Sequence, residues 1–582
     1  MSIHRWMLKK LTGFNSIFSS TGQRGLFIGL TSYLLIIMHI AWPNHGGSGA
    51  ELPLNLIAWC IIFGLCAFYW YYNFGQQVIW GGMTGFILLA GATLMTLPVI
   101  WSPSLATVLY ALPRIMGLWG GLIFWLTLRQ CHFSDQCKVH FFYCLSVAGT
   151  VEAGVVLMEL YVPRHGLPSI WLQLVQRYGR AGVGVFQQVN VTASFLALTL
   201  ASTLLLLGWR KVASQSRLLG NLLLMVLVVG SILQSAVLTA IYSRTGWLTG
   251  LLVIGGVYYL FKSHRFREEG QYQVFLILLP LIGMVIGMYL LHMSIAQALE
   301  KHDGSNHQRL LTLYHTFFYA IQHPLIGYGA GTYEGSYQAY LAAMPGGNPG
   351  NELMTHPHNE FLYQYAEGGL IAVLGLLLWC GLYLHLWWKV RTVLQAGALM
   401  AMLPVLIHTQ LEYPLYYSVP HWIVLLLLIR MADEEYCPQK IKRGFASFAG
   451  RFFILPLMLA GTVISFQAYR SGQVLDRFET GEIENPELIA TLNVPLVLSL
   501  RYKQDLSLLR LYRFQNSPDT ASLLAFSREN EEWLSVHAWS PLYINQIAVM
   551  HYLGDEECAN LWLQKARTTL PWKPEFKREP GE

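Results

Sequence analysis

Charge is scarce in this sequence. Asp, Glu, Lys and Arg make up 12% of 582 residues, against roughly 25% in an ordinary soluble chain. So little charge cannot clothe a water-facing surface of normal size, which excludes a typical soluble enzyme. Hydrophobic residues take up 54% instead, and the solvent they imply is lipid. Cysteine is thin where it would matter for a secreted fold. Of eight cysteines, only Cys558 falls in a segment expected outside the cytoplasm, so no disulfide framework is available there. Cys131 and Cys137 lack zinc spacing with any histidine pair and no HExxH pattern occurs, so neither a metal nor a cofactor is expected. No small-residue cleavage site follows the first apolar run, and the basic N-terminal stretch reads as a cytoplasmic anchor.

What is present is a succession of about thirteen apolar stretches, near 25–42, 54–72, 78–100, 105–127, 140–161, 184–207, 218–240, 246–261, 273–293, 361–388, 396–413, 419–430 and 451–469. Each is close to the roughly 20 helical residues needed to cross a hydrocarbon core. The expected fold class is therefore all-α, a polytopic helical membrane protein of about 13 transmembrane helices. The net charge of +6 matters less than its distribution, and no nucleic-acid partner is expected. With the N-terminus in the cytoplasm, inside segments hold Arg5, Lys9, Lys10 and Arg24, then Arg129 and Lys138, then Arg210, Lys211 and Arg217. Lys262, Arg265, Arg267, Lys389, Arg391, Lys440, Lys442, Arg443 and Arg451 continue that side. Outside loops hold Arg164, Arg177, Arg180, Arg244, Lys301 and Arg309. The bias follows the positive-inside rule through every connection and sends the C-terminal tail outside.

Three regions break the pattern of spans and short loops. The organisation expected is a transmembrane bundle over 1–293, a large outer loop over 294–360, further spans over 361–469 and an outer helical tail over 470–582. A shorter outer loop at about 162–183 contains LPSIWLQLVQRYGR, whose apolar spacing suits a helix lying in the membrane interface; a surface loop fits equally. The large loop carries RLLTLYHTFFYAIQ at helical spacing, then HPLIGYGAGTY, in which Gly327, Gly329 and Gly331 let the backbone approach another segment closely. In the tail, PLYINQIAVMHYLGDEECANLWLQKARTTLP pairs two helical stretches about Leu553-Gly554. It reads as one tetratricopeptide-like unit or as a generic helical hairpin.

Polar residues gather at one membrane level. His356 and His358 flank Pro357 just before a span, with Asn359 and Glu360 following. Histidine titrates near neutral pH, which fits proton transfer, while helix capping is the plainer alternative. Arg244, in the short turn of IYSRTGW, and Arg309, at the head of the amphipathic segment, form a plausible clamp for a phosphate or diphosphate. A snorkelling arginine and a solvated helix-end charge explain them equally well. Gln187, Gln188 and Asn190 open a span, where amides cap helices or pair with a neighbour. His408, Glu412 and Tyr413 close another, and a carboxylate at that depth is costly unless paired.

Together these segments resemble the bacterial O-antigen ligase and protein O-oligosaccharyltransferase superfamily, more closely its protein-glycosylating (PglL-type) branch. The resemblance covers most of the chain and rests on five ordered elements. They are FQQVN-x-x-A at 186–193, SRTGWL at 243–248, the arginine-led helix with HPLIGYGAGTY at 309–333, HPHNEFL at 356–362 and HTQLEYPLYY at 408–417. It implies transfer of an oligosaccharide from undecaprenyl diphosphate to a hydroxyl at the periplasmic face of the bacterial inner membrane. On this resemblance His358 accepts or orients the acceptor proton, with His356 as second choice. Arg244 and Arg309 balance charge on the departing diphosphate. Gln188, Asn190, Asn359, Glu412 and Tyr413 are expected at the substrate. Val189 stands where the family pattern has proline. The LEYPLYY segment and helical tail resemble the branch that modifies serine or threonine of periplasmic or pilin-like proteins. Ligation to lipid A core and repeat-unit polymerisation are the alternatives within the same chemistry. A transporter or lipid-binding scaffold is the alternative from another class, though transporters gather polar residues at the bilayer midplane.

Overall fold

A computed structural model describes residues 20–47, 49–73, 78–209, 217–291, 303–350, 352–433 and 445–577. The basic positions Arg5, Lys9, Lys10, Arg210, Lys211, Lys301, Lys440, Lys442 and Arg443 lie outside the described residues.

The chain is all-α, and among the described residues no strand forms beyond one isolated bridge, Trp209 to Gly270. The first half supplies α1 (Thr21–Leu35), α2 (Pro53–Tyr72), α3 (Gly82–Thr96), α4 (Leu105–Arg129), α5 (Asp135–Tyr161), α6 (Ser169–Tyr178), α7 (Val189–Gly208), α8 (Arg217–Ala240), α9 (Arg244–Lys262) and α10 (Phe275–Leu291). The large loop contains α11 (Asp303–Ala320) and α12 (Tyr333–Ala342). Then come α13 (Glu360–Lys389), α14 (Val393–His408), the single turn α15 (Pro414–Tyr417), α16 (Val419–Ala432) and α17 (Phe445–Glu479). Four helices finish the chain: α18 (Ser499–Asn516), α19 (Thr520–Val536), α20 (Ser540–Tyr552) and α21 (Glu556–Thr569).

All thirteen apolar stretches coincide with helices. Among the described residues, eight helices are long and apolar enough to cross a membrane, and the apolar helices at 275–290, 393–408 and 419–432 are shorter. The chain is a multi-pass membrane protein on this count. Local chemistry sets the helix starts: the side chains of Gln188, Ser243 and Asn359 accept the backbone N–H three residues on, which starts α7, α9 and α13.

At the centre stands α7, wholly buried between α5, α8, α9 and α14. Its hydroxyl residues bridge to neighbours, Thr203 to Ser146 at 2.8 Å and Thr199 to Gln234 at 3.2 Å. Such bonds hold helices together where lipid supplies no hydrophobic drive. At the end of the bundle away from the site, the buried Arg430 donates to the carbonyls of Leu128, Cys131 and Asp433.

One expectation changes. The apolar stripe of α6 does not face a membrane interface, because Trp171, Leu174 and Val175 are buried in the bundle core. Arg180 behind it donates to the carbonyls of Glu159, Leu160 and Val162, satisfying the end of α5. In the tail, α20 and α21 pack as a hairpin and α19 packs on both α18 and α20. Asn348 of the large loop fixes the end of α21: its side-chain amide donates to Thr569 O at 3.1 Å and its backbone N–H donates to Thr568 O at 2.9 Å.

Candidate functional site

One buried carboxylate organises the site. Glu412 follows the end of α14 and accepts four different side chains: Asn190 at 2.7 Å, Arg309 at 2.6 Å, Gln188 at 2.9 Å and, more loosely, His408 at 3.4 Å. These donors come from α7, α11 and α14, so a single ion gathers three elements at one end of the bundle. Burial raises the Glu412 carboxyl, but the His408 hydrogen bond and the charges of His408, Arg309 and His358 outweigh it and hold the group at about 2. It is an anion at ordinary pH. Among the described residues, Arg309 spends one of its five N–H donors on Glu412, which leaves the fork with capacity for a ligand's oxygens.

The amides are held from behind. Glu159 accepts the N–H groups of Gly182, Val183 and Gly184 at 2.8–3.0 Å, and Glu152 accepts that of Val185 at 3.0 Å. Those bonds pin the loop that delivers Gln187 and Gln188. Gln187, at φ 57°, turns away and donates to Trp42 O at 2.5 Å. Asn190 is oriented by Ser243, whose hydroxyl donates to its Oδ1 at 2.6 Å. Arg244 is the next residue, at the first position of α9. His408 continues inward through Ser194, at 2.9 Å, to His421, at 3.2 Å.

Beside this carboxylate lies the histidine pair. His358 holds a left-handed backbone at φ 58°, uncommon for a residue with a side chain. His356 stabilises that turn, since its Nδ1 accepts the His358 N–H at 3.0 Å. This bond puts the His356 proton on Nε2, which faces Glu360 at 3.6 Å, beyond hydrogen-bond range. The His356 ring is buried among Tyr363, Tyr413 and Tyr416, with centroids 4.4, 4.8 and 5.8 Å away. His356 thus braces the backbone turn at His358. Tyr413 also meets the His358 ring, at 5.7 Å.

Each ring of the pair keeps one buried nitrogen with no hydrogen-bond partner among the described residues, Nε2 of His356 and Nδ1 of His358, a state that asks for an explanation. Burial pushes the His358 imidazole down to about 4; Glu412 raises it, and Arg309 and His356 lower it. The ring is a neutral acceptor at ordinary pH. Asn359 proves to be a clasp: it caps α13 and donates to Gln410 at 3.3 Å, while Glu360 N–H donates to Thr409 O at 3.0 Å. The two loops that carry His358 and Glu412 are stitched together by these bonds.

Behind the histidine loop, a cavity of about 470 Å³ runs between α4, α13, α14 and α16. Arg114, Glu360, Glu367 and Gln410 line its polar part, and Trp379, Tyr383, Leu403 and Leu425 its apolar part. Arg114 pairs with Glu367 and donates to the Tyr363 hydroxyl. Sequence reasoning passed over Arg114, although a lone arginine inside an apolar span was the signal. It also missed Ser243, Ser194 and His421, whose roles exist only through contacts.

The structure therefore joins Gln188, Asn190, Arg309 and Glu412 directly, groups His356, His358 and Tyr413, and commits Asn359 to capping. Two family models match the chain. The model described as "O-Antigen ligase" matches residues 229–379, which include Arg244, Arg309, His356 and His358. The model described as "Virulence factor membrane-bound polymerase, C-terminal" matches residues 397–580, which include His408, Glu412 and Tyr413. No curated protein matches the chain. The two matches support the O-antigen ligase/polymerase superfamily, and with it a membrane enzyme that transfers or polymerises glycan.

Proposed function

We propose that this protein transfers an oligosaccharide from undecaprenyl diphosphate to serine or threonine hydroxyls of a periplasmic or pilin-like protein. One observation carries the reading: an unpartnered neutral imidazole at His358 and a carboxylate-anchored guanidinium at Arg309 share one patch. Displacement at the anomeric carbon needs both. The acceptor oxygen bonds to C1 as the bond from C1 to the diphosphate oxygen breaks, the hydroxyl proton passes to His358, and the negative charge departs with the diphosphate. Arg309, with Arg244 as second guanidinium, answers that charge. Glu412 keeps Arg309, Gln188 and Asn190 in register so that little reorganisation remains at the moment of reaction. Tyr413 orients the histidines and lines the substrate's approach. The apolar part of the cavity behind the histidine loop suits the chain of a lipid-linked donor.

The loop distribution of Lys and Arg supports an inner-membrane location with the N-terminus cytoplasmic and the site periplasmic. The match to the polymerase model favours a second reading, in which the acceptor is a glycan hydroxyl, as in ligation to lipid A core or repeat-unit polymerisation.

The acceptor decides between them. A host lacking its own O-antigen ligase is supplied with this protein, a lipid-linked glycan and a pilin. A pilin that gains one glycan mass, lost with His358→Ala, supports protein glycosylation. A restored lipopolysaccharide ladder with unmodified pilin moves the assignment to a glycan acceptor. Transfer that survives replacement of each of Arg244, Arg309 and His358 favours the transporter class instead.

A further inference from the structure

The helix that carries Arg309, α11, is built inside out. Its inward side carries hydroxyls: Thr312 and Thr316 are buried, and Thr316 bonds the Tyr333 hydroxyl at 2.7 Å. The outward side carries Leu310, Tyr314, Phe317, Phe318 and Ile321, all exposed. From Leu310 to Ile326 the chain contains no Asp, Glu, Lys or Arg. A helix facing water shows the reverse arrangement, and contiguous apolar patches of this kind are rare on surfaces in water.

Its height in the bundle can be read from bonds. The Arg309 to Glu412 pair ties α11, at its seventh residue, to the level of Gln188, where α7 begins. From there α7 runs 20 residues, about 30 Å, the thickness of a hydrocarbon core. The Glu360 N–H to Thr409 bond puts the start of α13 near the same level. Beyond the C-terminal end of α11, Pro324 O accepts the N–H of Leu370 at 2.9 Å. Leu370 is ten residues along α13, roughly 15 Å further toward the opposite end of the bundle. The apolar face also continues into sides of the spans that face outward, through Leu325 and Ile326 to Leu370 and Leu374, with Ile100 alongside. Trp101 fixes that junction by donating to Ile326 O at 2.8 Å.

We infer that α11 and the turn through Ile326 form a re-entrant element immersed in the bilayer leaflet at the site end, rather than a loop standing in water. The occupant of its apolar face is lipid hydrocarbon. Backbone chemistry at the turn agrees with burial in a medium that offers no hydrogen bonds. Tyr328 and Gly329 N–H donate to the carbonyls of Ala366 and Glu367, and Pro324 and Leu325 carbonyls accept from Leu370 and Ile371. Gly369 makes this close approach possible: it breaks α13 at φ 57°, and a Cβ there would collide with the Leu325 carbonyl. The large loop thus dips to this turn and returns through α12, which holds Arg309 at the surface of the leaflet.

The test is independent of any glycan. A photoreactive benzoylphenylalanine is placed at Tyr314 or Phe317 of the full chain in nanodiscs of phosphatidylethanolamine and phosphatidylglycerol. Leu374, on the outward side of α13, serves as lipid-facing control, and the exposed Tyr552 of the tail as water-facing control. Illumination is expected to add one phospholipid mass at Tyr314 and Phe317, as at Leu374 and unlike Tyr552. Lipid adducts at Leu374 without any at Tyr314 and Phe317 overturn the inference, as do adducts there to a second copy or to an acceptor protein. A failure of glycan transfer leaves these masses unchanged, so the two readings fail separately.

Discussion

The acid limb of the pH profile tests the site most directly. An ordinary histidine titrates at 6.5, and burial pushes His358 down to about 4. A displacement of that size corresponds to roughly 3 kcal/mol between the charged and neutral rings. The functional form is the neutral ring, so activity is retained as pH falls through 6.5 and is lost only as pH approaches 4. At pH 5.5 a histidine at 6.5 would be about 10% neutral, whereas one at 4 stays about 97% neutral. Stability follows the same sign: because the folded value lies below the unfolded one, protonation of His358 costs stability from about 6.5 down to 4. The assay is the initial rate of glycan transfer at subsaturating donor, since kcat/KM reports the free enzyme. Between pH 7.5 and 5.5 the expected loss from this group is under 10%. The charges around the ring add a second arm. Arg309 lowers His358 and Glu412 raises it, so Arg309→Gln moves the limb upward and Glu412→Gln moves it downward. A tenfold fall by pH 5.5, or a limb unmoved by both substitutions, refutes the assignment of the neutral His358 ring.

Glu412→Gln also removes the anion that Arg309, Gln188 and Asn190 share. Its carboxyl sits at about 2 rather than the ordinary 4.5, so its contribution, on the order of 3 kcal/mol, is present above 4.5 and lost as pH falls toward 2. Acid-unfolding curves of wild type and variant are expected to converge across that window, and parallel curves would argue against the ion pair. Gly369→Ala forces a Cβ into the Leu325 carbonyl at a backbone geometry glycine alone tolerates. It is expected to cost roughly 3 kcal/mol or more, seen as a lower unfolding temperature in detergent; an unchanged midpoint would deny the close approach. Asn348→Ala removes a buried side chain bonded to Gln338, Gly350 and Thr569. About 1–3 kcal/mol of anchoring is lost, and limited proteolysis is expected to cut near the tail helices sooner than in wild type.

Much of the architecture was legible in order along the chain. Thirteen apolar stretches became helices because hydrophobic length is a local property, and Gln188, Ser243 and Asn359 start their helices through bonds only three residues long. The glycines of HPLIGYGAGTY behaved as their spacing implied, all three at positive φ and pressed against Glu367, Ser102 and Thr107 backbone. α6 misled for a definite reason: an amphipathic stripe reads the same whether lipid or protein covers it, and here the bundle does.

The sequence by itself determined the solvent, the helical class and the short roll of polar residues at one membrane level, since each follows from composition and local spacing. Tertiary structure alone decided their roles. It made Glu412 the centre of the site and Asn359 a clasp, and it set His356 to hold the turn of His358 through Nδ1 while the His358 ring faces Glu412 and Arg309. It also turned the large loop's helix so that its hydroxyls face inward. The physical reason is range: a helix or a cap is fixed by neighbours within a few residues, whereas the Glu412 and Arg309 charges meet across 103 positions.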